Sequence, residues 1–362
     1  MSRNMLVATI GVAVVVVVYI LGFSNLFATE YRSDAAKAIQ NIVQPPPTLD
    51  KVDYDTRLLA LAHVALSTTT SPSDQVAFTV STSSPQATRR LWPVKTVYPN
   101  VGAILPFKRI VAYYGNFYSK GMGALGEYPT DQMLAMLGAE VKRWEAADPT
   151  TPVLPAIQYI AVVAQMNAGK EGKYILRMPD DQIEHTLDLA NRVHGIVILD
   201  VQVGMSTLQH ELPQLEKYLA MPQVHLAIDP EFSMKFGDPP GTVIGTFDAA
   251  DVNYAADYLA KLVNDNKLPP KILVVHRFTQ KMVTNYTQIR PLPEVEILMD
   301  MDGWGSKAKK NGTYTQVIAP EPVQFTGIKL FYKNDLKPPS SGLLTTGEIL
   351  KLTPAPIYIQ YQ

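Results

Sequence analysis

The sequence predicts an α/β chain: a (β/α)8 TIM-like barrel preceded by an N-terminal transmembrane helix and a Ser/Thr/Pro-rich linker. Three observations predict it. Short runs rich in Val, Ile and Leu alternate with helical patterns along most of the chain, as in a parallel sheet covered by helices. Eight such runs can be counted, the number that closes a barrel; a doubly wound open sheet is the alternative. Four runs stop at a polar cluster: GIVILDVQ from Gly195, VHLAIDPE from Val224, KILVVHRF from Lys271 and EILMDMD from Glu296. In barrels of this kind the active site lies where the strands emerge.

Residues 5–27 are almost wholly apolar and carry no charge. At about 1.5 Å per residue they can cross a hydrocarbon core of about 30 Å. A cleaved signal peptide has an apolar region of about 7–15 residues, so residues 1–30 are expected to be a short cytoplasmic tip and an uncleaved anchor. Arg3 before the span and Arg32 and Lys37 after it leave the positive-inside rule undecided. The linker and large body that follow favour an extracytoplasmic barrel. Residues 31–90 read as a stalk with helical stretches at 34–43 and 54–66, the first ended by Pro45, Pro46 and Pro47. Residues 67–87 are dominated by Ser, Thr, Pro and Gln, which bury too little apolar surface to order strongly.

The barrel domain spans residues 91–362. A chain that is 47% hydrophobic can bury a large core, and a net charge of -1 excludes nucleic acid as a partner, since phosphate binders carry a basic excess. There is no cysteine, which removes disulfides, thiolate metal sites, a cysteine nucleophile and lipid attachment through cysteine. Nothing calls for a cofactor. The strands are expected at 109–114, 153–160, 195–202, 224–229, 242–247, 271–276, 294–300 and 323–330. Helices are expected at 130–147, 180–193, 208–219 and 249–266. The first has Met133, Leu134, Leu137, Val141 and Trp144 at helical spacing after Pro129, and Asp248 is placed to cap the last.

Side chains two apart share a strand face. Asp200 and Gln202 therefore follow Ile198 on one face of the third strand, His276 follows Val274 on the sixth, and Asp300 and Asp302 follow Glu296 and Leu298 on the seventh. Asp229 and Glu231 flank Pro230, which ends ladder pairing after the fourth strand. Six groups, Asp200, Asp229, Glu231, His276, Asp300 and Asp302, are thus expected at one mouth. Crowded carboxyls push each other's pKa values apart, so one stays protonated while another stays ionised, the pair that glycoside hydrolysis needs. Glu231 is expected as general acid and Asp300 as nucleophile or base, with the others tuning them. Each acid could instead cap a turn, and Asp302-Gly303 is a good turn pair. Metal-assisted hydrolysis by Asp200, Asp229, His276 and Asp300 is a further reading.

Ligand contacts are expected from Tyr113 and Tyr114 after the first strand, Trp304 after the seventh, and the hydrogen-bonding groups of Asn116, Gln158, Gln202 and Lys329. The segment Gly121-Met-Gly123-Ala-Leu-Gly126 fits G-x-G-x-x-G. It sits too far past its strand for a dinucleotide fold, and Pro129 starts the helix only after it. It reads as a loop over the mouth that carries Glu127 towards the site.

The acid after the fourth strand and the acids after the seventh resemble the pattern of barrel glycosidases. That resemblance implies hydrolysis of a glycosidic bond; here Pro230 stands where those enzymes have Asn, and the seventh strand offers Asp in place of Glu. The strings IVAYYGNFYS from Ile110, GIVILDVQVG from Gly195, LAIDPEFSM from Leu226 and ILVVHRFTQKMV from Ile272 resemble an uncharacterised family of bacterial envelope proteins, which includes secreted lipoproteins. This resemblance implies a barrel and an envelope location, with carbohydrate or another envelope ligand as partner. Without cysteine, attachment to the membrane would rest on the N-terminal helix. A binding or scaffold protein of the envelope, without turnover, is the rival class.

Overall fold

The computed structural model describes residues 48–65 and 90–362, and the backbone of two short paired strands, Ser67–Thr68 and Phe78–Thr79. The apolar run 5–27 and the helical stretch 34–43 lie outside the described residues. Among the described residues no helix is long and apolar enough to cross a membrane.

Eight parallel strands close into a barrel: β1 (Arg109–Gly115), β2 (Val153–Ala164), β3 (Ile196–Val201), β4 (Val224–Ile228), β5 (Lys271–Arg277), β6 (Val295–Met301), β7 (Phe325–Leu330) and β8 (Tyr358–Tyr361). Each pairs with the next, and β8 pairs with β1. Closure excludes the doubly wound sheet. A short antiparallel segment, Ile175–Arg177, lengthens β2 outside the barrel.

The two-residue period of the strands separates two apolar layers. Inside lie small and branched side chains such as Ala112, Ala156, Ile198, Ala227, Val274 and Leu298. The alternate residues face outward against the helices Thr130–Ala147, Asp180–Arg192 and Ala249–Asn266. Trp144 of the first of these is fully buried and donates to Tyr361 Oη at 3.0 Å. The last begins at a reciprocal capping box between Asp248 and Asp251, which satisfies two end donors at once. Segment 208–219 is three short turns rather than one helix, because Pro213 interrupts the ladder.

One end of the barrel is stoppered. Tyr54, from the helix Lys51–Leu61, joins the inner layer with Leu105. Glu296, at the start of β6, accepts the backbone N–H groups of Ile104 at 3.0 Å and Leu105 at 2.8 Å. This helix is part of the compact unit Leu49–Gln362.

Two expectations about the strands need correction. Residues 242–247 are not a barrel strand. Val243 and Ile244 are exposed; Val243 makes only an isolated bridge to Pro240, and Phe247–Asp248 pairs with Val283–Thr284 outside the barrel. Gly245 tucks beneath the turn after β4, donating to Glu231 O at 2.7 Å, and an added Cβ would come within 2.6 Å of Pro230 O. The eighth strand is instead Tyr358–Tyr361, so the runs from Lys271 and Glu296 are β5 and β6, one place earlier than expected.

Gly327 of β7 shows how tightly the upper interior is filled. A Cβ there would lie 2.7 Å from Asp300 Oδ1 and 2.7 Å from Tyr358 Cδ1. Overpacking of this sort costs about 1–3 kcal/mol. Gly327→Ala is therefore expected to lower stability by that amount in equilibrium urea unfolding.

Candidate active site

Above the apolar floor the inward column turns polar on every side: Tyr114 of β1, Gln158 of β2, Asp200 of β3, His276 of β5, Asp300 of β6, Lys329 of β7 and Gln360 of β8, with Asp229 just past β4. All are buried. These positions continue the inward two-residue rows, so the pleat that fills the floor also gathers the polar groups at one end.

His276 is their centre. Its Nε2 lies 2.8 Å from Asp200 Oδ2, and its Nδ1 lies 3.3 Å from Asp302 Oδ2 and 3.4 Å from Asp300 Oδ2. Burial alone would push the imidazole pKa down, but Asp200, Asp300 and Asp302 together hold it well above the ordinary value. Three acidic side chains around the ring thus favour its charged form. Gln158 braces it from below, donating to Asp200 Oδ2 at 2.7 Å. Tyr358 Oη donates to Gln158 Oε1, and Gln360 Nε2 donates to Tyr358 Oη at 2.9 Å.

The chemistry faces a cavity of about 610 Å3. Of the six expected mouth residues, Asp229, Glu231 and Asp302 line it; Asp200, His276 and Asp300 lie beneath, fully buried. Asp229 has two roles. Its Oδ1 accepts from Glu231 N at 3.0 Å, capping the short 3-10 turn Pro230–Phe232, and its Oδ2 accepts from Gln202 Nε2 at 3.2 Å. It thereby fixes the turn that presents Glu231. Among the described residues, Asp229, Glu231 and Asp302 bring carboxylate oxygens within 4.8 Å of one another.

The three carboxyls do not ionise alike. Burial, reinforced by Asp302, raises Glu231 to about 7. Burial also drives Asp229 well above the carboxylate range, despite the attraction of His276. Burial pushes Asp302 up as well, but His276, Lys329 and Lys310 outweigh it and hold this carboxyl below its usual value. Asp300 stays raised because burial outweighs His276. The cavity therefore sets a carboxyl held low, Asp302, beside one held high, Glu231.

The expected pairing of Glu231 with Asp300 is corrected on two counts. Asp300 belongs to β6, not the seventh strand, and it does not reach the cavity. The end of β7 carries Lys329. The ligand contacts divide similarly. Tyr114, Gln202, Trp304 and Lys329 line the cavity. Tyr113 points outward, where its hydroxyl is 2.8 Å from that of Tyr332. Asn116 braces its own loop through Ile160 O and Tyr118 N. Glu127 pairs with Lys333 at 2.6 Å and does not line the cavity. Gly121 and Met122 do line it. Gly123 is held at φ 130°, and a Cβ there would fall 2.4 Å from Tyr114 O, so this Gly-rich segment closes one wall of the mouth. Phe278, Lys309, Phe331, Asn334 and Gln362 also line the cavity and were not anticipated. Phe331 and Gln362 each follow a strand end directly, and Gln362 continues the alternation of Tyr358 and Gln360.

A hard divalent cation accepts three oxygen ligands of this spacing, so Asp229, Glu231 and Asp302 are the residues that could hold one. The set Asp200, Asp229, His276 and Asp300 does not form such a group among the described residues. Lys329 and His276 already bring positive charge to these acids, which opposes a cation at the same place.

No protein-family model matches the chain, and no curated protein matches it. Among solved structures, the chain is similar to a hyperthermophilic endo-β-1,4-glucanase in complex with substrate, with 8% identity over 71% of this chain and 89% of that one, at a TM-score of 0.37. It is similar to a Bacillus subtilis mannanase with 12% identity, covering 71% and 81%, at a TM-score of 0.37. Similarity to cellulose synthase subunit Z of Clostridioides difficile is 8%, covering 70% and 92%, at a TM-score of 0.35.

Removing one partner of a buried ion pair costs about 3–5 kcal/mol. His276→Leu is expected to lose that much at pH 7 in denaturant unfolding. The deficit should narrow towards pH 4, where Asp300 and Asp302 take up protons once the imidazolium no longer holds them ionised.

Proposed function

We propose that this barrel hydrolyses glycosidic bonds of an envelope or extracellular polysaccharide, with Glu231 as general acid and Asp302 as nucleophile. The observation that carries the proposal is that two carboxyls face one cavity with one oxygen of each within 4.8 Å of the other, burial raising Glu231 while His276 and nearby lysines hold Asp302 low. So close an approach suits a retaining pair better than the roughly 6.5–9.5 Å of an inverting one.

In the first step the Glu231 proton passes to the glycosidic oxygen as the bond to the anomeric carbon breaks, and an Asp302 oxygen bonds to that carbon. In the second step Glu231, now ionised, takes a proton from water as the water oxygen displaces Asp302, which restores both groups. His276 keeps Asp302 ionised and in place, and Asp229 keeps the Glu231 turn in place. Asp200 and Asp300 act one layer down, as counter-charges to His276. The proposal places the barrel outside the cell, tethered through residues 5–27, on the strength of that apolar run alone.

The test is the pH dependence of polysaccharide cleavage. Since Glu231 must be protonated, kcat/KM should fall as pH rises through about 7. Since Asp302 must be ionised, the acid limb should lie below the usual carboxylate range. Loss of a general acid costs about 10²–10⁴-fold. Glu231→Gln should lose that much and also its alkaline limb, and Asp302→Asn should be comparably impaired. An unchanged rate in Glu231→Gln would overturn the assignment, and glycan binding without turnover in the unsubstituted protein would favour a lectin-like role.

A further inference from the structure

The cavity lining mixes acid and base. Beside Asp229, Glu231 and Asp302 it carries Lys329 of β7, and the segments after β6 and β7 add Trp304, Lys309 and Phe331. Trp304 is 48% exposed and offers its ring to the cavity. Two ammonium groups hang over its ring, Lys309 Nζ at 4.9 Å and Lys337 Nζ at 5.4 Å from the centroid.

The lysines of these two segments fall into two sets. Lys307 pairs with Glu348 at 2.8 Å, Lys310 with Asp335 at 3.1 Å and Lys333 with Glu127 at 2.6 Å. Among the described residues, Lys309, Lys329 and Lys337 have no carboxylate within 4.0 Å, and Lys329 makes no hydrogen bond. The unpaired set is the one that meets the cavity or its rim.

Lys329 is the most telling. Its residue is only 3% exposed, yet its ammonium is 3.6 Å from the centroid of the Tyr114 ring and faces the cavity. Among the described residues this ammonium has no direct polar partner: it lies on an aromatic face, with Glu231 and Asp302 attracting it only from beyond ion-pair distance. Its three donors are free for an anionic oxygen.

We propose that the sugar occupying this cavity is anionic, bearing a carboxylate or phosphate that Lys329 binds while its ring stacks on Trp304 between Lys309 and Lys337. This rests on the hydrolase proposal for the cavity and narrows it to charged glycans.

The test is calorimetric binding to the full chain in detergent, run in parallel with a reducing-end assay. The probes are a galacturonate hexamer for carboxylate, a phosphomannan oligosaccharide for phosphate, and cellohexaose and mannohexaose as neutral controls. At least one anionic probe should bind at least about tenfold more tightly than either neutral one, with an advantage that shrinks as salt rises. Lys329→Met, checked for folding by its melting curve, should erase the advantage. The exposed pair Lys309→Ala/Lys337→Ala should reduce it. Equal affinity for charged and neutral hexamers, or an advantage that survives both substitutions, would overturn the inference. Cleavage of neutral glycans that depends on Glu231 would leave the hydrolase proposal standing without it. Tight anionic binding with no cleavage of any probe would do the reverse.

Discussion

The imidazolium of His276 is the charge around which the barrel mouth is built. Asp200, Asp300 and Asp302 are all withdrawn from water, and for Asp300 and Asp302 burial by itself favours the protonated form. One cation among them divides the outcome. Asp302, which also feels Lys329 and Lys310, stays ionised, whereas Asp300 stays raised. Glu231 is farther from this cation, is raised by burial, and feels the charge of Asp302. The opposed ionisation at the cavity therefore follows from the geometry of a group that never touches it.

Much of the fold was legible because its signals are local. The helices Thr130–Ala147 and Ala249–Asn266 announce themselves by apolar spacing and by end signals, and seven of the eight barrel strands follow from bounded apolar runs. The miss came from exchanging two short segments. Residues 242–247 have the composition of a strand, but Gly245 is needed for close approach to the turn after β4. Tyr358–Tyr361 is short, carries Gln360, and follows a stretch with Pro354 and Pro356. Composition does not distinguish a pairing partner from a brace; only the partner strand does that.

The site was legible as a place and less so as a set of roles. The two-residue period put all six polar residues at one end of the barrel. It could not say which would stand in the cavity and which beneath it, because depth depends on strand length and stagger. Hence Asp302, whose turn-forming Asp-Gly sequence argued for a structural role, faces the cavity, and Asp300, two residues earlier, is floor. Tyr113 and Tyr114 are adjacent and both buried, yet the pleat sends them to different layers. Lys329 was expected to meet a ligand, but Lys309 and Lys337 escaped notice because the three lie on separate segments, and only three-dimensional pairing shows which lysines lack a counter-charge.

The closing strand has a consequence beyond architecture. Until Tyr358–Tyr361 seats between β7 and β1, both neighbours present unpaired edges, the form of a sheet most open to association with other chains. The pairing of β8 with β1 joins the two ends of the barrel, so it carries a large loop-closure entropy. The same four residues supply the Tyr358 hydroxyl that holds Gln158 against Asp200. An unclosed barrel thus lacks the brace of its own active centre. Ordering the groups beneath His276 and hiding the open edges are a single event.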